Sequence, residues 1–433
     1  MKNSIKTLVS YSLIEKLLFF IFISSSFDIF MNIIMVGFSL RTVLLLIAFF
    51  VVTVVIIFVD KKFYLEVVGG KYLLIWFLLL LCFVPNSTFI ERNILYMIWF
   101  LWYIIFLVTL PIFTKTLFSL NKIWNLYLKS FYCLAIVGIA QFFLGIFGID
   151  FYIQQWWIEG LLPRINGFSY EPSYYASSMM IGWGMTFYNN FFSTKIVRRK
   201  SRKYLLLMTV AILLSSSRIG IATIILTTVS TFGMNFLIDL VAGKIQLKAI
   251  KYLIFLLLFL SITINYVYDN FEKYNFLFSG TGVGDTASHS ADERTDRAIE
   301  TFSVFLRNPI IGVSLGGIPS GIAEINGVIL KNQDQAKDFE GQNIYAEVLA
   351  ASGLIGFIFF VLYFFTLFKK SFQLAKIVDI ESGHILKSLL LGLFLCLFIL
   401  FFNQTILRPW LWVHISLLNA TYFFYYTEKI KRI

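Results

Sequence analysis

Apolar runs long enough to cross a bilayer recur from near Leu17 almost to the end of this chain of 433 residues, Val43–Val59 and Leu389–Phe402 among them. In hydrocarbon a spanning segment must satisfy its own backbone N–H and C=O groups, so such runs fold as helices. Composition agrees: 59% of residues are hydrophobic and 14% charged, against roughly 45–50% and 25% in soluble domains. An ordinary soluble domain is excluded. Seven prolines and three cysteines also exclude collagen-like and disulfide-stapled classes. Cys82, Cys133 and Cys396 sit inside apolar runs and read as buried spectators. His289, His384 and His414 are far apart, with no cysteine at ligand spacing, so no zinc site is expected. The net charge of +12 reads as Lys and Arg held on the cytoplasmic side of a membrane rather than as a nucleic-acid surface.

The expected fold is all-α, a polytopic membrane protein forming one domain over 1–433. No removable signal peptide is expected, because no small-residue cleavage site follows a short apolar core. Spans are expected near 13–37, 41–59, 72–86, 93–114, 125–148, 171–192, 204–216, 218–239, 252–268, 344–367, 387–402 and 410–426, about twelve crossings at ~20 residues each. The first is interrupted by Ser24-Ser25-Ser26 and Asp28, so a shorter helix plus an interfacial segment is the alternative. The seventh is short, and one helix from Tyr204 to Ile238 would place Arg218 in its middle. Charge decides for two crossings. Only then do Lys2/Lys6, Lys61/Lys62, Lys195–Lys203, Lys244/Lys248/Lys251, Lys369/Lys370/Lys376 and Lys429/Lys431/Arg432 fall on one side. Both termini are then cytoplasmic.

That parity puts 38–40, 87–92, 149–170, Ser215–Arg218, 269–343 and 403–409 outside. The stretch 269–343 is too long for a plain connector. It carries Asp285, Asp292, Glu293, Asp296, Glu300, Asp334, Asp338 and Glu340. Within it, Ala298, Ile299, Phe302, Phe305 and Leu306 repeat at helical spacing, which predicts an amphipathic helix over Ala291–Asn308. No internal repeat of 20–50 residues is visible.

The informative residues in so apolar a chain are charges and polar clusters at span ends. Arg218 follows Ser215-Ser216-Ser217 at an expected turn. It reads equally as a phosphate ligand or as an interfacial arginine among lipid headgroups. Arg164 opens a polar run that ends Tyr170-Glu171-Pro172-Ser173-Tyr174-Tyr175-Ala176. Pro172 suits a first helical turn, and Glu171 before it reads as a cap, a substrate base or a hydroxyl acceptor. Trp156, Trp157, Tyr170, Tyr174 and Tyr175 read as an interfacial belt, with stacking on sugar faces as the alternative. Arg294 and Arg297 share a helix side. Gly312, Gly316 and Gly317 form a Gly-rich turn after Pro309, a weak phosphate signal with no following Lys-Ser/Thr. Gln342, Asn343 and Tyr345 open the next span, with Glu347 one turn inside it. Several arginines, one or two glutamates and an amide pair at one surface suit a lipid-borne pyrophosphate carrying something polyhydroxylated. No nucleotide is at hand outside, so bond formation must use energy already in the substrate. No cofactor, no metal and no nucleic-acid partner is expected.

Ser217-Arg218, Arg294 ahead of Pro309 with its glycines, and Gln342-Asn343-x-Tyr345 running into Ala351-Ser352-Gly353-Leu354-Ile355-Gly356 together resemble the O-antigen polymerase and ligase superfamily. The Glu-Pro-Ser-Tyr-Tyr-Ala core at Glu171–Ala176 looks like the polymerase branch. The resemblance implies an inverting, metal-independent glycosyltransferase of GT-C-like multi-span fold in the bacterial cytoplasmic membrane, acting at its outer face. It would transfer a growing O-antigen or capsule glycan from undecaprenyl pyrophosphate onto a lipid-linked repeat unit. The catalytic residues would be Glu171, Arg218 and Arg294, with Arg164, Arg297, Gln342, Asn343, Tyr345 and Tyr174 binding substrate. Glu347 and Glu340 stand behind Glu171 as candidate bases. Membrane lipid and a chain-length regulator protein are candidate partners. In the ligase branch a His, the proposed base, stands where this chain has Gln342, which cannot take the proton. A ligase-type transferase and a lipid-linked glycan flippase are the rival readings. The flippase would carry its charges along a central cavity, whereas here they gather at one surface.

Overall fold

The computed structural model describes residues 2–30, 34–35, 38–60, 67–241, 289–332, 335–378, 380–403 and 406–430, with isolated positions between 258 and 269. The expected span 252–268 is described only at those isolated positions, and Asp285, Asp334 and the basic positions Lys61, Lys62, Lys244, Lys248 and Lys251 lie outside the described residues. The chain runs α1 (Lys2–Ser24), a short pair β1 (Ile34–Met35) and β2 (Phe38–Ser39), α2 (Leu40–Asp60), α3 (Gly70–Cys82), α4 (Ile90–Phe113) and α5 (Leu117–Ile146). A hairpin of β3 (Gln155–Ile158) and β4 (Leu162–Arg164) follows, then α6 (Pro172–Phe192), α7 (Lys195–Leu214) and α8 (Arg218–Val241). The segment expected outside contributes α9 (His289–Arg307) and α10 (Ile318–Ile325) before α11 (Ile344–Ile377), α12 (Ile380–Ile399) and α13 (Pro409–Ile430).

Among the described residues, Ile90–Phe113, Leu117–Ile146, Ile344–Ile377 and Gly383–Phe402 are long and apolar enough to cross a membrane by length and composition. Thr42–Phe58, Gly70–Cys82 and Arg218–Met234 are shorter apolar helices. Helix α6 lies in the interior, with Tyr175, Met179, Met180, Trp183 and Phe187 buried. Small residues let its neighbours approach, as in membrane helix pairs generally. A Cβ on Gly184 would sit 3.2 Å from Gly392 Cα of α12, and one on Gly182 would strike Phe131 of α5 at 2.5 Å. Buried polar side chains are used as struts between helices. His414 of α13 meets Tyr127 Oη of α5 at 3.1 Å and Leu389 O of α12 at 2.9 Å.

Several expectations shift. The span expected at 13–37 stops at Ser24, where the hydroxyls of Ser24, Ser25 and Ser26 donate back to Phe20 O, Phe22 O and Ile23 O. These satisfy carbonyls that a helix end leaves open, so the chain can turn there. The span expected at 204–216 begins instead at Lys195; Lys and Arg are good helix formers, and the basic run simply continues the helix. The two small β pairs depart from a purely helical reading. In the second, Gln155 faces Arg164 and a bulge separates Trp156 from Ile158, too irregular to leave a period of two in the sequence.

Helix α11 is broken at Gly353, whose φ of 60° and ψ of −174° no helix accommodates. The Gly-rich turn after Pro309 docks into the break. Val313 N–H donates to Ala350 O, Ser314 N–H to Ala351 O, and Leu354 N–H to Pro309 O. The backbones come so close that a Cβ on Gly312 would lie 2.1 Å from Ala351 O, and one on Gly353 2.2 Å from Ile310 O. Asn93 Nδ2 donates to Val313 O and Ser314 Oγ to Leu80 O, tying the turn to α4 and α3. The glycines therefore serve close backbone approach, and the turn is a joint rather than a phosphate loop.

Candidate functional site

Chain connections bring the segments expected outside to one end of the helices. Asp28 N–H donates to Phe168 O, Arg164 Nη2 donates to Ser216 O, Ile344 N–H donates to Asn403 O, and Arg92 pairs with Glu340. Between them lies a polar cavity of about 230 Å³ lined by Gln155, Arg164, Glu171, Ser173, Ser216, Ser217, Arg218, Ile219, Arg294 and Gln342.

Each side chain arrives for a local reason. Pro172 starts α6 and leaves Glu171 at the cap position in an extended conformation. The carboxylate makes no cap hydrogen bond; instead Ser173 Oγ donates to its Oε2 at 2.8 Å, and Arg294 Nη2 lies 3.7 Å from the same oxygen. Ser216, with φ of 57°, makes the sharp turn that ends α7 and starts α8 at Arg218. Arg164 comes from β4, where Gln155 Oε1 accepts from its Nη1 at 2.8 Å. Arg294 is on α9, which leans on α11 through Thr301: its hydroxyl accepts from Gln342 N–H and lies where a Cβ on Gly341 would come within 2.9 Å.

Three guanidiniums face one carboxylate across this cavity. Burial, then Arg218 and Arg294, lower the pKa of Arg164 to about 10, with Glu171 acting in the opposite sense. The guanidinium stays charged at neutral pH; burial is the larger cause of the lowering, and the two neighbouring arginines add to it. The N-terminal ends of α6, α8 and α11 border the same space, and such ends add partial positive charge. Arg164 Nε and Gln342 Oε1 are buried without a hydrogen-bond partner in the protein. The cavity thus offers one donor and one acceptor that no protein group satisfies, among three guanidiniums.

Two larger spaces adjoin it. A groove of about 650 Å³ shares Arg218, Ile219, Arg294 and Gln342 with the cavity and continues over Ala298, Ile299, Phe302, Phe401 and Phe402. A chamber of about 820 Å³ shares Glu171 and Gln342 and continues over aromatic and charged residues, with Asp28, Trp99, Tyr174 and Arg408 among them.

Glu171, Arg218, Arg294, Arg164 and Gln342 thus meet at one cavity. The remaining sequence candidates do not. Arg297, one turn from Arg294, points to the chamber, where it pairs with Glu300 and donates to Asp338 O. Tyr174 also lines the chamber, under Arg408. Asn343 caps α11, accepting from Tyr345 N–H and Ala346 N–H, and lines the groove. Tyr345 donates to Leu397 O and Tyr175 to Leu134 O from within the core. Glu340 is held by Arg92, and Glu347 is buried in α11, outside the lining of this cavity but close enough for its charge to act on Arg408. Gln155 and Ser173 were missed; neither carries a charge to mark it. Arg408 was missed too, though a lone charge just before Pro409 and an apolar helix was a visible signal.

Residues 204–361 match the family described as O-Antigen ligase. The match includes Arg218, Arg294, Gln342 and the break at Gly353, and leaves out Arg164 and Glu171. It supports the O-antigen polymerase and ligase superfamily, a membrane enzyme of glycan assembly, without separating the branches. No curated relative matches the chain.

Proposed function

We propose that the chain is a polysaccharide polymerase with about twelve crossings, both termini cytoplasmic and its site at the outer face of the bacterial cytoplasmic membrane. It transfers a growing glycan from undecaprenyl pyrophosphate onto a lipid-linked repeat unit. The observation that carries this reading is the cavity in which Arg164, Arg218 and Arg294 surround Glu171. Arg218 and Arg294 hold the pyrophosphate and stabilise the charge that grows on it as it leaves. The adjoining groove has the apolar lining a prenyl chain needs, and it begins at the same two arginines.

A hydroxyl of the acceptor attacks the anomeric carbon from the face opposite the pyrophosphate. The new C–O bond forms as the bond to the pyrophosphate oxygen breaks, its electron pair leaving with the pyrophosphate. Glu171 takes the acceptor proton. Its Ser173 hydrogen bond and its Arg294 contact fix the position of the carboxylate. A chain-length regulator protein is a proposed partner.

The test is incubation of the purified protein with a synthetic polyprenyl-pyrophosphate-linked repeat, with a ladder of products expected. A second reading, the ligase, draws on the description of the matched family. Deletion in the native cell separates them: loss of a polymerase leaves single repeat units on the final acceptor, and loss of a ligase leaves none. A flippase loss would trap units on the inner side.

A further inference from the structure

The chamber on the far side of Glu171 has a chemistry unlike that of the arginine cavity. Tyr96, Trp99 and Tyr103 of α4 form one wall, and Tyr170, Tyr174 and Arg408 face them. Trp99 and Tyr103 lie 5.9 Å apart at a tilt of 39°. The Arg408 guanidinium stacks 3.9 Å from the Tyr174 ring centre and pairs with Asp28 at 3.1 Å. Charge here is not in positive excess: the lining carries the carboxylates of Asp28, Glu171, Asp338 and Glu340 against the guanidiniums of Arg297 and Arg408, with Asp28 held by Arg408, Arg297 by Glu300, Glu340 by Arg92 and Glu171 by Arg294. Arg408 Nε is buried and has no hydrogen-bond partner in the protein.

We propose that this chamber is the acceptor site and that it takes a neutral, polyhydroxylated sugar. The inference rests on the donor reading above, because it needs the leaving group on the arginine side of Glu171. Aromatic rings offer flat apolar faces to the C–H side of a pyranose, and fixed polar groups between them order its hydroxyls. Carboxylate oxygens and guanidinium N–H groups accept from and donate to hydroxyls, while an excess of carboxylates over guanidiniums in the lining disfavours a further carboxylate. A uronic acid entering the chamber would lose its water and meet more carboxylates than guanidiniums. Glu171 and Gln342 line both spaces. A hydroxyl presented from the chamber therefore reaches the carboxylate that must take its proton, on the side away from the pyrophosphate. Trp99, Tyr170 and Arg408 become specificity determinants for the acceptor.

The test uses the full-length purified chain in detergent, with two probes. Methyl glycosides of neutral hexoses and N-acetylhexosamines, with methyl glucuronide beside them, are followed by saturation-transfer NMR. Farnesyl pyrophosphate binding is followed by calorimetry. Neutral glycosides are expected to bind, and Trp99→Leu and Tyr170→Ala to weaken them about tenfold each, the loss of one ring contact, with farnesyl pyrophosphate affinity unchanged. Tyr170 is 62% exposed, so its replacement leaves the fold intact. Neutral glycosides that do not bind, that are indifferent to both variants, or that bind no better than the glucuronide overturn the chamber assignment. Farnesyl pyrophosphate that does not bind the wild-type chain overturns the donor reading instead.

Discussion

The Arg294 guanidinium lies 3.7 Å from the Glu171 carboxylate, although 123 positions separate them in the sequence. One residue comes from α9 and the other from the start of α6. Their meeting makes the arginine cavity a junction between the two. Replacing Arg294 or Arg218 by Ala is expected to lower polymer formation by about 10²–10³-fold, the cost of removing one donor from a developing charge. Full-length protein at wild-type levels in the membrane fraction, with no ladder on a gel, is the expected result. A normal ladder in Arg218→Ala would remove the pyrophosphate role.

Glu171→Gln keeps the shape of the side chain and an oxygen for the Ser173 hydroxyl, but it cannot accept a proton. Turnover is expected to fall about 10²–10⁴-fold, the range for a general base, while farnesyl pyrophosphate still binds. If the Gln variant polymerises at the wild-type rate, the base is some other group.

Sidedness is tested by single cysteines in a cysteine-free background. Cysteines replacing Arg218 and Arg294 are expected to react with an impermeant maleimide added to intact spheroplasts. Opposite accessibility of the two positions is incompatible with one substrate touching both.

The Asp28–Arg408 pair, 3.1 Å apart and only 20% and 14% exposed, is a stability element as well as a chamber wall. Asp28→Asn leaves a largely buried guanidinium without its carboxylate. The expected loss is ~2–3 kcal/mol, somewhat below that of a fully enclosed pair, seen as a lower apparent Tm in detergent. Asp28→Asn combined with Arg408→Gln is expected to cost less than the sum of the two, since the residues share one interaction.

Gly353→Ala should be more damaging than an ordinary helix substitution. A φ of 60° with a ψ of −174° belongs to a region essentially reserved to glycine and costs another residue ~1–3 kcal/mol, and the added carbon would overlap Ile310 O. Lower folded yield with Gly353→Ala, against a mild effect of Gly233→Ala where nothing lies within 4 Å, is the expected contrast on gel filtration.

Much of this arrangement is written in local features of the chain. Apolar runs give the helices, and the Lys/Arg distribution selects a turn at Ser215–Arg218, where the structure also turns. The amphipathic spacing of Ala298, Ile299, Phe302 and Phe305 gives α9. What was not legible depends on contacts remote in sequence. Nothing near Asp28 announces Arg408, and nothing in the helical pattern after Asn343 announces a break at Gly353, because the apolar run continues through it. Arg294 and Arg297 share a helix side by spacing, yet they serve different spaces, because Glu300 and Asp338 O hold the second one away.

The joint at Gly353 has a mechanical consequence. Three backbone hydrogen bonds lock the segment after Pro309 into the interrupted turn of α11, so the N-terminal end of that helix and the docked segment form one rigid piece. If this piece moves, Gln342 at the rim of the arginine cavity must be carried with the base of α9, to which Thr301 binds it. The rim of the arginine cavity is thus anchored to a long apolar helix rather than carried on a free flap.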